Sequence, residues 1–382
     1  MKNILLLGAT GSIGESVLSV ISQNKESLNL FGISLNKNIL KSQEILKEYS
    51  PDYIFIDDHD SFKSLASEDS ERYLNDEGDL EKLINKEEID IIVCATSGYA
   101  GLKAAYIAAK TGKKILLANK ESIVAGGDLI LPLAKKNNSE IIPIDSEHNA
   151  IFQCLSGEKG TEDVKRITIT ASGGPFINTP IQELKHVTVE EALNHPNWKM
   201  GSKVTIDSAT LVNKCLELIE AKYLFDMNEK YFELVVHPQS IIHSIVTFID
   251  GSSICQMSAP DMRVPIAHAL SEDKRLPIAF KNLDFSNLNL SFQEFPSDRS
   301  EIQDIAREVC NEGGFLGTIF NAANEVAVES FLNKKINFNQ IYEVIYRTFD
   351  KNHMSNDLSI ESINEADVQT RIKAEKVVKS LT

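Results

Sequence analysis

The sequence lacks an excess of basic side chains. It holds 39 Lys and Arg residues against 55 Asp and Glu residues, which gives a formal net charge of −16. A protein that binds nucleic acid needs a basic face to displace the counterions of the phosphates. We therefore expect no nucleic-acid partner.

Long apolar runs and closely spaced cysteines are also missing. No apolar stretch approaches the ~18 residues of a membrane-spanning helix, so we expect no membrane partner. Met1 leads within a few residues into an apolar run that is too short for a signal peptide, and the Arg- and Ser-rich composition of a transit peptide is absent. The five cysteines include no C-x-x-C pair, which is typical of free thiols in a reducing cytoplasm.

The residues that are present indicate a folded globular chain. Apolar residues make up 42% and charged residues 25% of the 382 positions, so disorder is not expected. The length predicts two or three domains.

Residues 1–145 alternate short apolar runs with helical patterns. Such alternation, with strands rich in Ile, Leu and Val, predicts a parallel α/β sheet covered by helices on both faces. The polar segment 59–82 is predicted to be an irregular excursion with a short helix. The predicted strands lie near 3–7, 28–35, 53–57, 89–95, 115–118 and 141–144, and the predicted helices near 12–23, 39–48, 100–110 and 127–137.

The pattern changes after residue 145. Residues 146–275 predict an α+β domain with strands near 165–170, 232–236, 243–249 and 253–257, some of them antiparallel. Within it, 172–206 is long and rich in Gly, Pro and Asn, which favours a functional loop with little regular structure. The turn-rich segment 276–298 predicts a linker, and 299–382 a small helical domain.

The first predicted strand ends in the glycine pattern G-x-x-G-x-x-G, formed by Gly8, Gly11 and Gly14. Glycines allow a tight turn and a close approach of the backbone to a pyrophosphate, and the next helix offers free N–H groups. A strand before and a helix after favour a Rossmann-like nucleotide site. The alternative is a tight turn without a ligand.

The end of the second predicted strand bears on the cofactor. NAD sites usually place Asp or Glu there, to bind the ribose 2′-hydroxyl. This chain has Asn36, Lys37 and Asn38 instead. A lysine attracts a 2′-phosphate, so NADP(H) is favoured over NAD(H); a solvated turn is the alternative.

Polar clusters follow the last three strands predicted in this region, at residues 96–98, 119–121 and 145–148. Because ligands bind beyond the carboxyl ends of parallel strands, three clusters in register suggest one crevice. Lys120 is predicted near the start of a helix, where a cation is unfavourable because that end of the helix dipole is positive. Such an unfavourable placement favours a functional role, and the alternative is an ordinary exposed lysine. If the strand continues, Asp145 and Glu147 lie on the same face of it, and two neighbouring carboxylates suit Mg²⁺ or Mn²⁺. The alternative is that they cap the next helix.

Residues 207–219 predict a capped helix. Asn213, Lys214 and Glu217 share one arc of it, opposite Leu211, Cys215, Leu218 and Ile219. The polar face is either a solvated surface or a source of anion-binding donors and a metal oxygen.

The loop before this helix contains Trp198, the sole tryptophan, in a polar stretch that ends at Gly201. Such a ring suits a lid over a ligand, or else it anchors its own loop. His195 could bind a phosphate or cap a turn.

Together these segments resemble the 1-deoxy-D-xylulose 5-phosphate reductoisomerase family over nearly the whole chain. The combination of the segments 145–148 and 195–198 is highly specific. Cys215 stands where the family often has glycine, and we expect no effect on the chemistry. The matching segments are 8–14, 117–121, 143–153, 171–176, 195–201, 213–217, 237–240, 260–268 and 321–325.

The resemblance implies a bacterial cytoplasmic homodimer with an NADPH domain, a catalytic domain that also makes the dimer contact and a C-terminal helical bundle. It implies that the ketone and hydroxyl oxygens of a phosphorylated sugar chelate the metal. The carbon skeleton is then implied to rearrange by retro-aldol cleavage and re-addition, after which NADPH reduces the resulting aldehyde. The product is 2-C-methyl-D-erythritol 4-phosphate, an isoprenoid precursor. The alternatives are another NADP-dependent dehydrogenase of a phosphorylated small molecule and a non-catalytic nucleotide-sensing module.

The resemblance also carries over site residues by position. Met262 is implied to lie near the nicotinamide, and Lys120 joins the metal ligands as a catalytic residue. The implied sets are Asp145, Glu147 and Glu217 for one Mg²⁺, Mn²⁺ or Co²⁺; Lys120, Ser146, Glu147, Ser172, His195, Ser208, Asn213, Lys214 and Glu217 for the substrate; Thr10, Gly11, Ser12, Ile13, Lys37, Asn38, Asn119, Glu121 and Gly201 for NADPH; and Trp198 and Met200 for the lid.

Overall fold

The computed structural model describes residues 1–66, 71–158, 160–272, 274–350 and 357–382. Part of the predicted excursion 59–82, namely 67–70, lies outside these residues. Among the helices described, none is both long and apolar enough to cross a membrane. All five cysteines are free.

The strands and helices follow in chain order. The strands are β1 (Lys2–Leu7), β2 (Leu28–Leu35), β3 (Tyr53–Ile56), β4 (Tyr73–Leu74), β5 (Ile91–Cys94), β6 (Lys114–Leu117), β7 (Glu140–Pro143), β8 (Val164–Ala171), β9 (Phe232–Val236), β10 (Ile242–Phe248), β11 (Ser253–Met257) and β12 (Gln293–Glu294). The helices are α1 (Ser12–Gln23), α2 (Ile39–Tyr49), α3 (His59–Leu65), α4 (Glu77–Ile84), α5 (Leu102–Ala108), α6 (Lys120–Lys136), α7 (Ser146–Cys154), α8 (Val189–Ala192), α9 (Ser202–Thr210), α10 (Val212–Leu224), α11 (Arg263–Leu270), α12 (Ser300–Glu312), α13 (Leu316–Leu332), α14 (Phe338–Thr348) and α15 (Ile360–Leu381).

The chain forms two compact units. The first contains Met1–Asn119, Ile130–Asp145 and Asp261–Phe280, and the second contains Lys120–Leu129, Ser146–Pro260 and Lys281–Thr382. The boundary after Phe280 lies inside the predicted linker. The four-part division predicted above stays a prediction.

The first unit is built on a parallel sheet in the order β4-β3-β2-β1-β5-β6-β7. Its central strands are rich in Ile and Leu, and Leu5, Ile33 and Ile92 are fully buried. Residues of this kind suit a sheet that is covered on both faces. The predicted parallel α/β fold is confirmed.

Two local predictions in the first region need correction. Among the described residues of the excursion 59–82 are α3, the short strand β4 and the first residues of α4, which continues to Ile84. Helix α6 begins at Lys120, seven residues before the predicted start at 127. Gly126 has non-helical φ and ψ angles and Pro132 lies inside the helix, and these residues hid its continuity in the sequence.

The second unit contains a mixed sheet in the order β11-β10-β8-β9-β12. Strand β10 is antiparallel to β8 and β11, as predicted, whereas β8 and β9 are parallel. Helix α7 packs on this sheet. The described residues after 299 form α12, α13, α14 and α15, as predicted, and α13 is buried among α9, α14 and α15.

The helix predicted over 207–219 is in fact two helices. Leu211 separates α9 from α10, and its φ of +62° lies in the left-handed region. Asp207 therefore lies inside α9 and is not a cap. A buried leucine gives no sign in the sequence of this break, because the left-handed region is typical of Gly or Asn.

Candidate functional site

The glycine turn after β1 is sterically required in the first unit. Gly8 has a φ of +89°, and a Cβ there would lie 2.7 Å from the backbone of Ala95. A Cβ on Gly14 would lie 2.5 Å from the carbonyl oxygens of Gly8 and Ala9. Gly11 is the N-cap of α1 and provides no side-chain cap. The turn therefore leaves the start of α1 open to a phosphate.

The other residues predicted at this cofactor site surround the turn and the end of β2. Thr10 and Ile13 are half-buried, and Ser12 is exposed. Lys37 is exposed, and Asn38 caps α2 by accepting a hydrogen bond from the backbone of Lys41.

Nothing in the sequence indicated that an acidic residue, Asp58, lies close enough to Lys37 to interact with its charge. It follows β3, not β2, and caps α3. Its pKa is lowered mainly by hydrogen bonds from Ser61, with a smaller contribution from the charge of Lys37.

The polar clusters after β5, β6 and β7 follow neighbouring strands, as predicted. Asn119 joins the first two clusters, because its amide donates to the carbonyl oxygens of Thr96 at 2.6 Å and Gly98 at 2.8 Å. Gly101 lies so close that a Cβ there would be 2.8 Å from Cγ of Asn119. Asp145 follows β7 and is the last residue of its segment of the first unit.

In the second unit, two lysines and two glutamates form a buried cluster. Lys214 Nζ lies 2.6 Å from Glu147 Oε1 and 2.5 Å from Glu217 Oε2. Lys120 Nζ lies 2.9 Å from Glu217 Oε1 and 2.9 Å from Asn213 Oδ1. Lys120, Lys214 and Glu217 are each at most 6% exposed. The polar face of α10 is therefore part of a charged cluster and not a solvated surface, and Lys120 is not an exposed lysine.

Three smaller contacts complete this cluster. Lys214 also donates to the carbonyl oxygen of Thr170 at 2.8 Å. Ser146 Oγ donates to Glu147 Oε2 at 2.6 Å, and the Asn213 amide donates to the Glu217 carboxylate. These contacts hold the carboxylates of Glu147 and Glu217 in fixed orientations.

Of the two alternatives for Asp145 and Glu147, the continued strand does not occur, because β7 ends at Pro143. Helix α7 begins at Ser146, so Glu147 is an acidic residue of its first turn. Glu147 nevertheless lies near another carboxylate, because carboxylate oxygens of Glu147 and Glu217 lie within 4.8 Å of each other.

This donor set fits a hard divalent ion. Carboxylate oxygens are the ligands that Mg²⁺ and Mn²⁺ prefer, and buried carboxylates need a nearby cation. Lys120 and Lys214 provide that positive charge here. Asp145, two residues before Glu147, is available in the sequence as a third carboxylate.

A buried pair, His148 and Glu220, adjoins the cluster through the backbone of Glu217. The sequence did not predict this pair. Both are fully buried; His148 Nδ1 lies 3.1 Å from Glu220 Oε2, and His148 Nε2 lies 2.9 Å from the carbonyl oxygen of Glu217. A carbonyl oxygen only accepts, so Nε2 carries a proton. The signal available in the sequence was the position of Glu220, one helical turn after Glu217.

A second polar group brings together Ser172, His195 and Ser208. His195 Nε2 lies 3.0 Å from Ser172 Oγ and 3.2 Å from Ser208 Oγ. The backbone N–H groups of Asn197 and Trp198 both donate to His195 Nδ1. Nδ1 is therefore an acceptor, and the proton of the neutral ring is on Nε2.

This imidazole stays uncharged near neutral pH. Burial, with repulsion from Lys214, lowers the pKa of His195 to about 4. The two alternatives from the sequence are compatible, since Nδ1 caps the turn while Nε2 presents a proton beside two serine hydroxyls. Hydroxyls and an N–H group at this spacing can bind the oxygens of an anion.

The predicted loop 172–206 is more regular than expected. It contains a 3₁₀ turn at Ile181–His186, helix α8 and the first turn of α9, which begins after Gly201. The Trp198 ring is half-buried, with its centroid 6.0 Å from that of His243.

The neighbouring Asn197 holds the loop. Its amide donates to the carbonyl oxygen of Pro238 at 2.6 Å and lies 3.3 Å from Ser240 Oγ. These contacts agree with an anchored loop, and the lid role of Trp198 and the half-buried Met200 stays a prediction.

Two further positions predicted near the cofactor have defined surroundings. Glu121 is buried, and its carboxylate lies 2.7 Å from Lys203 Nζ. Burial alone would raise the pKa of Glu121, but Lys203 holds it below its ordinary value. Met262 lies between Asp261 and Arg263, which form an ion pair at the start of α11.

Family models match most of the chain. The model described as 1-deoxy-D-xylulose 5-phosphate reductoisomerase matches residues 4–127, its C-terminal domain model matches 141–225, and a second model, DXP reductoisomerase C-terminal domain, matches 257–373. The chain belongs to the 1-deoxy-D-xylulose 5-phosphate reductoisomerase family. The resemblance in the sequence is thereby confirmed.

Reductoisomerases from bacteria match over almost their whole length. The protein of Vesicomyosocius okutanii subsp. Calyptogena okutanii (strain HA) is 41% identical, with 99% of each chain covered. The protein of Francisella tularensis subsp. holarctica (strain FTNF002-00 / FTA) is 42% identical, with 98% of each chain covered. Both carry the name 1-deoxy-D-xylulose 5-phosphate reductoisomerase.

Solved reductoisomerase structures share the fold. A crystal structure of DOX-P reductoisomerase with NADPH, fosmidomycin and magnesium is 36% identical, with a TM-score of 0.93 over 100% of this chain and 99% of that chain. The enzyme from Zymomonas mobilis, in complex with NADPH, is 38% identical, with a TM-score of 0.91 over 100% of both chains.

Proposed function

We propose that this chain isomerises 1-deoxy-D-xylulose 5-phosphate and reduces the product to 2-C-methyl-D-erythritol 4-phosphate, with NADPH and one divalent metal ion, in the synthesis of isoprenoid precursors. The observation that carries the proposal is the buried arrangement of Glu147 and Glu217 around Lys214. The function of a nucleotide-sensing module or of a dehydrogenase without a metal does not require such a pair of buried carboxylates. Membership of the reductoisomerase family supports the same reaction.

The proposed metal ligands are Asp145, Glu147 and Glu217. A divalent ion held there supplies Lewis-acid polarisation of the substrate's carbonyl. Ser146 orients Glu147, and Asn213 orients Glu217, through the hydrogen bonds described above. We assign Lys120 to the substrate and to catalysis, because a buried ammonium group can stabilise oxyanion charge on the substrate.

The proposed phosphate contacts are Ser172, His195, Ser208, Asn213 and Lys214. His195 presents Nε2–H as a donor without adding charge, and Lys214 supplies the positive charge. Donors fixed before binding lose little entropy on orienting the phosphate, and that binding energy positions the reacting carbons.

The proposed cofactor contacts are the turn Thr10–Ile13 with Lys37, Asn38, Asn119, Glu121 and Gly201. NADPH bound there supplies the hydride. The open start of α1 suits the pyrophosphate, and Lys37 suits the 2′-phosphate. We place Met262 near the nicotinamide, and assign Trp198 and Met200 to a cover that excludes water from the substrate.

We further propose a homodimer in the bacterial cytoplasm. Strand β11 is an edge strand that pairs with β10 alone among the described residues, and Ile254 on it is 44% exposed. Ile249, at the start of the adjoining turn, is 66% exposed. An exposed apolar edge strand is a common surface for pairing with a second copy. Five free cysteines and the bacterial relatives support a cytoplasmic location.

The test is NADPH oxidation by the purified protein with 1-deoxy-D-xylulose 5-phosphate, with and without Mn²⁺ or Mg²⁺, and product identification by mass spectrometry. We expect metal-dependent oxidation and one branched polyol phosphate. Metal-independent oxidation would indicate another dehydrogenase. NADPH binding without turnover would indicate a sensing module.

A further inference from the structure

The family motif at residues 321–325 has no part in the site described so far. It lies on α13, where Asn321 and Asn324 are both fully buried. A buried amide needs a partner, because an unpaired one costs free energy. The partner of each amide therefore indicates what the motif holds in place.

Asn324 reaches a different helix. Its Nδ2 group donates to Asp207 Oδ1 at 2.8 Å. Asp207 is 1% exposed and directly precedes Ser208 on α9. The amide thus fixes a carboxylate beside one of the proposed phosphate contacts.

Lys203 continues the chain of contacts. Its Nζ lies 2.8 Å from Asp207 Oδ2 and 2.7 Å from Glu121 Oε1. Burial alone would lower the pKa of Lys203, but Asp207, Glu121 and Glu325 raise it well above its ordinary value, so the group is an ammonium ion. Glu121 directly follows Lys120 at the start of α6.

We propose that Asn324 and Lys203 are positioning residues: the buried series Asn324–Asp207–Lys203–Glu121 fixes the helix that carries Ser208 relative to the helical turn that carries Lys120. This inference rests on the proposed function, in which Ser208 and Lys120 bind one substrate. All members of the series belong to the second unit.

The buried series is expected to affect the relative position of the two helices more than the stability of the fold. A buried ion pair adds little net stability, because desolvation offsets much of the attraction between the charges. Its contacts nevertheless fix the relative position of the two helices. A displacement of about 1 Å at a reacting centre can lower the rate about a hundredfold.

The first experiment compares Asn324→Leu with Asn321→Leu. Asn321 is a matched control, because it has the same type, helix and burial, but its amide donates to Glu325 on its own helix at 3.2 Å. We expect Asn324→Leu to lower kcat about tenfold or more and to weaken fosmidomycin binding, measured by calorimetry, by a similar factor. Asn321→Leu, with a comparable loss of Tm, should stay within about threefold of the wild type in both. Equal losses in the two variants would overturn the proposal.

A second pair of variants covers the case in which Asn324→Leu does not fold. Lys203→Met leaves Asp207 and Glu121 buried without their cation, whereas Lys203→Met with Asp207→Asn removes one charge of each sign. We expect the double variant to recover part of the Tm lost in Lys203→Met, because Asp207→Asn neutralises one of the two buried carboxylates left without their cation. Its kcat should remain about tenfold or more below that of the wild type, because the bridge to Glu121 is absent. Recovery of both Tm and kcat would show that Lys203 serves stability alone.

Failure of this inference and failure of the proposed function are distinguishable. Turnover of the sugar phosphate by the wild type tests the function, and the ratios between variants test the positioning role. Tm and fosmidomycin affinity also report on the variants without turnover.

Discussion

The ammonium group of Lys214 lies 2.6 Å from a carboxylate oxygen of Glu147, although the two residues are 67 positions apart in the chain. Both side chains are mostly buried, at 6% and 13% exposure. The carboxylate that we assign to the metal is therefore already neutralised by the protein. A divalent ion has to compete with this lysine for the same oxygens.

Loss of a metal carboxylate is expected to remove activity. Glu217→Gln should lower Mn²⁺ affinity, measured by calorimetry, and turnover at least about a hundredfold, because a direct ligand matters more than the outer partners of a metal site. Asp145→Asn should act in the same direction. Glu233→Gln is the control, since that carboxylate is about half exposed and pairs with Arg166 at the surface. Full activity of Glu217→Gln in the presence of a chelator would contradict the metal assignment.

Cofactor preference is expected to depend on Lys37. Lys37→Glu should raise the KM for NADPH about tenfold or more and change that for NADH much less, since one favourable charge contact is replaced by repulsion. Lys47→Glu makes the same charge change at another exposed position in the last turn of α2. Steady-state kinetics with both cofactors measure the effect. Equal KM values for NADPH and NADH in the wild type would refute the assignment.

His195 is expected to act as a neutral donor. His195→Gln retains an N–H group that can reach the serines, so its substrate KM should rise less than that of His195→Leu. The loss in His195→Leu should be about tenfold or more, as expected for a hydrogen bond to a charged group. If both variants have the same KM, the donor role is wrong.

The same histidine gives a pH dependence of stability. Its pKa is about 4 in the folded chain, against an ordinary value of 6.5. Between these values the unfolded chain binds more protons than the folded one, so stability falls as the pH is lowered from 6.5 towards 4. His195→Gln removes this contribution, and its Tm should fall less between pH 7 and pH 4.5 than that of the wild type. An identical fall in both proteins would mean that His195 titrates normally.

Trp198 is the sole tryptophan, so its fluorescence reports on one place. With NADPH already bound, adding fosmidomycin and metal should change its emission if the loop closes over the ligand. Trp198→Ala should then lose substrate affinity and turnover together, with a smaller effect on NADPH affinity. An unchanged spectrum with wild-type kinetics for Trp198→Ala would make this ring a structural anchor only.

The sequence predicted the parallel sheet and the glycine turn because both depend on local patterns. Apolar runs such as Ile91–Cys94 and the spacing of Gly8, Gly11 and Gly14 are visible without a structure. The polar face of α10 was visible for the same reason. What could not be predicted were contacts between distant segments, such as His148 with Glu220 or Lys203 with Glu121, since periodicity carries no information about partners.

At one point the local conformation departs from what the sequence predicts. The segment 207–219 has good helical periodicity, and nothing in a buried leucine signals a left-handed residue. Only the packing of the folded chain decides that the helix stops at Leu211. Asp207 consequently changed from a predicted cap to a buried ion-pair partner.

The break at Leu211 also gives the chain a second helix start. A continuous helix would place Asn213 and Lys214 in mid-helix, where neighbouring peptide groups satisfy one another. Because α10 starts at Val212, both residues lie in its first turn, at the positive end of the helix dipole, which favours an anion. The left-handed conformation of a leucine costs about 1–2 kcal/mol. The strained residue Leu211 thus lies between Ser208 and Asn213. As a consequence a second helix N-terminus lies beside Asn213, which no exchange of side chains on an unbroken helix would provide.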